Sequence, residues 1–147
     1  YLTFLFLLEW VHMLRIIYAG IRPTSTRILI YQYITQQSDT FSLRDIEDAL
    51  LSIDKSTIFR TLILFEEHHL IHSIEDGSGA MKYCQCRSEG DCQEEEFHCH
   101  FYCEKCKKTY CLDDSAITNI TLPDGFVMNQ VNYIVKGICD KCSRIEK

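Results

Sequence analysis

Six His and Cys side chains crowd into the fourteen residues HCHFYCEKCKKTYC, positions 98–111. Two of them form the knuckle Cys103-Glu-Lys-Cys106, which Cys139-Asp-Lys-Cys142 repeats near the C-terminus. A Cys-x-x-Cys turn aims two thiolates at one point, and two such turns complete a four-sulfur tetrahedron. That donor set suits zinc, which has no redox chemistry and leaves no open position in a closed structural site. The alternative for either pair is redox or disulfide chemistry. With nine cysteines, an odd number, all beyond Tyr83, full disulfide pairing would leave one over, and metal binding is the better reading.

A second set of donors precedes the knuckles. His98 and His100 are two apart, so in a strand they project to one side. Cys84 and Cys86 share a face of extended chain in the same way, with Cys92 beyond. Mixed imidazole and thiolate ligation again favours zinc over harder cations. Cys99 points away and packs, and Cys111 reads as a strand residue rather than a ligand. The alternative is that His98 and His100 are only surface histidines and Cys99 a buried thiol.

These residues need a scaffold. A helix is predicted over 25–35, after Pro23, with Ile28, Leu29 and Ile34 on one side. Ser42, three residues ahead of Asp45, opens a second helix as a capping box. A third carries Ile58, Leu62 and Phe65 at helical spacing, with Ser56 as its expected cap. Beyond Leu70 the period shifts to two around an Asp-Gly/Ser-Gly turn, the pattern of a β-hairpin. Three helices and a hairpin, in that order, make a winged helix-turn-helix, whose third helix enters the DNA major groove. A generic helical domain with a hairpin would show the same periodicities.

The chain divides accordingly: an apolar extension over 1–13, a winged-helix domain over 14–83, an acidic Cys-rich linker over 84–97, and a small α/β unit over 98–147. The extension lies either upstream of a start at Met13 or packs as an extra turn on the first helix. Its charged residues and the lack of a basic start argue against a membrane span or signal peptide. In the last unit short strands are expected in HCHFYC, KTYCL and FVMNQVNYIV, with a helix near DDSAITNI. A unit so small requires a staple. The formal net charge of −6 works against phosphate binding. Arg15, Arg22, Arg27, Lys55 and Arg60 nonetheless gather near the first and third helices. No catalytic constellation is visible, so the chain is not read as an enzyme.

Taken together, AGIRPTSTRILI, FSLRDIEDAL, DKSTIFRTLILFEEHHLI, HCHFYCEKCKKTYCLDD and LPDGFVMNQVNYIVKGICDKC resemble the ferric uptake regulator (Fur) superfamily of metal-responsive repressors. The resemblance implies an α+β chain, with an N-terminal winged helix-turn-helix domain and a small α/β dimerisation domain holding the four-cysteine zinc. It further implies a cytoplasmic homodimer that binds an inverted-repeat operator in double-stranded DNA. Thr57, Phe59, Arg60, Lys55 and Arg22 would face DNA. Cys103, Cys106, Cys139 and Cys142 would hold one structural zinc per chain. His98, His100, Cys86 and Cys84 would form a second, regulatory divalent-metal site whose effector is zinc or iron, zinc ahead of iron. The chain departs from the family pattern at Phe59 (usually Tyr), Thr40 (a His ligand), Cys84 (an acidic ligand) and Gln130 (near an expected His). Glu75 is a further conceivable ligand. The rival reading is a thiol-based redox sensor or zinc-binding interaction protein in which Cys84, Cys86, Cys92 and Cys99 react rather than ligate.

Overall fold

The structure, a computed structural model, describes residues 2–85, 99–112, 120–128 and 131–145, with the side chains of residues 2–8 excepted. His98, Cys86, Cys92, Gln130 and the helix expected near DDSAITNI lie outside the described residues. The apolar N-terminal run forms α1 (Leu2–Tyr18), which continues without a break past Met13 and packs on α2 (Ser25–Thr35). No described helix is long and apolar enough to cross a membrane.

Helix α2 starts where Thr24 accepts from the Arg27 N–H at 3.3 Å. Strand β1 (Phe41–Ser42) leads into α3 (Leu43–Ala49), opened by the full capping box. Ser42 Oγ accepts from Asp45 N, and the Asp45 carboxylate accepts from Ser42 N at 2.7 Å. Helix α4 (Lys55–Glu67) is capped by Asp54, not Ser56 as expected. Asp54 Oδ1 accepts from Thr57 N at 3.0 Å, while Ser56, already in the first turn, donates its hydroxyl to the same carboxylate. Carboxylate outcompetes hydroxyl here because it takes several donors at a positive helix end.

Strands β2 (Ile71–Ile74) and β3 (Lys82–Gln85) form the hairpin, and β1 adds to β3, giving the order β1-β3-β2. Cys84 therefore lies in a wing strand. Ile30, Tyr31 and Ile34 of α2, Ile46 of α3, and Ile58, Leu62 and Phe65 of α4 bury their side chains with Phe41, Ile71 and Tyr83. The second sheet has the order β5-β4-β6, from β4 (Cys99–Cys103), β5 (Thr109–Leu112) and β6 (Tyr133–Gly137). β4 runs antiparallel to β5 and parallel to β6. The last strand starts later than FVMNQVNYIV suggests, and α5 (Asp140–Arg144) follows it. Among the described residues, the apolar cluster of this half consists of Cys103, Cys139 and Cys142 with Phe101 and Tyr110 against them.

Candidate metal centres and DNA-facing helix

Cys103 ends β4, and the tight turn after it swings Cys106 back. Lys107 stands at φ 62°, a left-handed conformation that favours glycine, and its N–H donates to Cys103 O at 2.8 Å. Glu104 N donates to Gly137 O at 2.8 Å, tying this knuckle to the end of β6, from which the second knuckle departs. Cys139 caps α5 and Cys142 lies within it. The four sulfurs all fall within 4.8 Å of one another, and Cys106 and Cys139 Sγ are 3.9 Å apart. A tetrahedron with zinc–sulfur bonds of ~2.3 Å has edges of about 3.8 Å, so the spacing fits.

The surroundings favour thiolates unevenly. Burial pushes the Cys103 thiol up, but N–H groups of Cys106 at 3.5 Å and Cys139 at 3.3 Å more than offset it, bringing it to about 6. The Cys142 backbone and the Tyr110 hydroxyl, which donates at 3.6 Å, draw the Cys139 thiol down. Burial pushes Cys142 up to about 12. Ionising all four sulfurs this close together takes a cation to neutralise them, and the donor set fits zinc.

A second group gathers where the two sheets meet. His72 of β2 and Cys84 of β3 are register partners, and directly opposed strand residues bring their side chains to one spot. His100 of β4 completes the set, its ring centroid 5.8 Å from that of His72. The three ligand atoms lie within 4.8 Å of one another. His100 and Cys84 are each 4% exposed. Sequence reasoning named Cys84 and His100 but missed His72; the available signal was a histidine alternating with Leu70 and Ile74 in a strand facing a cysteine-bearing one. Cys111 pairs with His100 across β4 and β5 and is not in the group. Glu75 is exposed in the turn. Thr40 donates its hydroxyl to Thr109 O at 2.8 Å.

On α4 the inward face is Ile58, Thr61, Leu62 and Phe65. Phe59, 49% exposed, and Arg60 look outward, as do Lys55 and the separate Arg22. Thr57 is half-buried, and its hydroxyl donates to Asp54 at 2.6 Å. Its side chain thus serves the cap.

The family model for the ferric uptake regulator family matches residues 18–124. No curated protein sequence matches the chain. Among solved structures, a zinc uptake regulator complexed with zinc and DNA aligns at TM-score 0.64 and 17% identity, covering 95% of each chain. The Helicobacter pylori ferric uptake regulator, described with three functional metal-binding sites, aligns at 0.59 and 14%, covering 88% of this chain and 87% of its own. The Vibrio cholerae ferric uptake regulator aligns at 0.59 and 15%, covering 86% and 98%. At these identities the structures speak for the shared fold, a winged helix followed by a small α/β unit. With the family model spanning most of the sequence, the chain belongs to the ferric uptake regulator family.

Proposed function

We propose that the chain is a cytoplasmic, homodimeric, metal-responsive transcriptional repressor, with zinc as its effector. The observation that carries this reading is the His72–Cys84–His100 group, which draws two ligands from the wing and one from the other sheet. A divalent ion bound there would tie the winged helix to the second domain, and two nitrogens with one sulfur suit zinc better than iron. His98 and Cys86, close in sequence to His100 and Cys84, are proposed to add to this shell. Cys103, Cys106, Cys139 and Cys142 would hold one structural zinc per chain.

Phe59, Arg60 and Lys55 on α4, with Thr57 at its start and Arg22 alongside, form the proposed DNA face. Phe59 has lost the hydroxyl of a tyrosine but keeps a flat apolar surface for a thymine methyl. Val135 and Ile138, with the exposed run Phe126, Val127 and Met128, support self-association through the second domain, which would place two winged helices on an inverted repeat. Catalysis plays no part in this reading. The redox alternative loses two of its four thiols, because Cys84 and Cys99 are buried, whereas sensor thiols are accessible.

The test is fluorescence anisotropy of DNA from upstream of the chain's own gene. Protein that keeps only its tight zinc is titrated with zinc(II) and, anaerobically, iron(II). Binding that tightens at least tenfold with zinc supports the proposal. Binding that ignores metal but disappears with peroxide would replace it with the redox reading.

A further inference from the structure

A buried carboxylate in the wing turn reaches across the junction between the two halves. Asp76, between β2 and β3, is 1% exposed. Its Oδ1 accepts from Ser78 N at 2.8 Å, and its Oδ2 accepts from the hydroxyl of Thr109, the first residue of β5. Thr109 is itself 2% exposed, and its carbonyl accepts from the Thr40 hydroxyl. One threonine of the second sheet thus grips the winged helix at two points, ahead of β1 and at the wing turn. The neighbouring Gly77 stands at φ 80°, and a Cβ there would come 2.7 Å from Lys136 Nζ of β6, so the turn is seated closely on that sheet as well.

Burial works against the charge of Asp76, yet the hydrogen bonds from Ser78 and Thr109, with Lys82 nearby, hold its carboxyl below the usual value. A carboxylate kept buried without those donors would be costly, so Asp76 can sit at this junction only with Ser78 and Thr109 serving it. The His72–Cys84–His100 group spans the same junction from the same hairpin, whose strands are four residues each. Among the described residues, and beside the contact at Gly77, the winged helix is thus tied to the second sheet both through a set of candidate metal ligands and through hydrogen bonds that involve none.

We propose that Asp76, Thr109 and Thr40 form a metal-independent clasp that positions the winged helix against the second domain. Filling the His72–Cys84–His100 site then reinforces an arrangement already held, and DNA affinity is graded by metal rather than switched. The grading by metal rests on the regulatory reading of that site; the clasp itself does not.

Hydrogen–deuterium exchange of the wing turn, residues 75–81, tests it on the full-length chain in zinc excess, so that in wild type both metal centres are filled. The proteins compared are wild type, His72→Ala, Thr109→Val and the double variant, each checked for zinc content. The turn should stay protected in His72→Ala, and exchange should rise at least tenfold in the double variant. Thr109→Ser in the His72→Ala background should restore protection, which separates the hydroxyl from mere packing. Exposure in Thr109→Val alone also supports the clasp. Exposure in His72→Ala equal to that of the double variant would overturn it, since metal would be the sole tie. Full protection in the double variant would overturn it too, leaving the Gly77–Lys136 packing as the anchor. Exchange is read without DNA, so a failure of the repressor reading would appear separately, in anisotropy.

Discussion

Removing one sulfur from the four-thiolate centre should have effects graded by position. A closed structural zinc site contributes an apparent ~10–16 kcal/mol at neutral pH. An even quarter of that corresponds to about two to three powers of ten in zinc affinity. Cys103 is wholly buried and takes N–H bonds from both knuckles, joining them. Cys106 is exposed, where water can reach the vacated ligand position. Cys106→Ser should therefore retain zinc about a hundredfold more weakly. Cys103→Ser should lose zinc altogether and with it the fold of the second half, because the apolar cluster there is built from the ligand cysteines themselves. Zinc stoichiometry after dialysis against a graded chelator series, with sizing chromatography in reducing buffer, reads both effects. Cys103→Ser protein that stayed dimeric with one zinc per chain would refute the structural role. A Cys106→Ser defect larger than that of Cys103→Ser would refute the argument from burial.

Three further outcomes follow from the geometry. His72→Ala should weaken the second metal site at least tenfold in competition with a zinc indicator while leaving the four-thiolate zinc in place; unchanged second-metal affinity would remove His72 from the site. Arg60→Ala should weaken DNA binding evenly across sequences and lower the salt slope by about one, whereas Phe59→Ala should cost about tenfold on operator DNA and little on random DNA, both read by anisotropy over a salt series. Ser42→Ala dismantles the capping box of α3, a loss of about 1 kcal/mol, which a thermal melt should show as a drop of a few degrees.

Local signals made most of the frame legible. Helices α2, α3 and α4 each combine an apolar stripe with a capping residue within four positions, and the two knuckles hold their ligands within single turns. What escaped depends on partners distant in sequence. The Asp54 cap differs from the expected Ser56 by two residues within one turn, which periodicity does not resolve. Strand β1 is two residues long and exists only because β3 offers it an edge. His72 becomes a candidate ligand only when hairpin pairing sets it opposite Cys84 and sheet packing brings up His100. Asp76 reads in sequence as an ordinary turn residue of an Asp-Gly step; its burial is decided by Thr109, 33 residues away.

The proposed metal site and the proposed DNA face are joined through one corner of the fold. Helix α4 ends at His68, and His69 takes φ 56°. His69 N donates to Glu66 O at 3.0 Å and Leu70 N to Phe65 O at 2.8 Å, the paired bonds of a Schellman motif. Leu70 is buried in the core, and β2 begins at the next residue. Helix and wing thus turn as one body, with a non-glycine residue holding a conformation that costs on the order of 1 kcal/mol. His72 and Asp76 lie on the wing side of that corner, Phe59 and Arg60 on the helix side. On the proposed function, any restraint on His72 or Asp76 from the second sheet would therefore set the angle at which Phe59 and Arg60 are presented to DNA, with no need for α4 itself to deform.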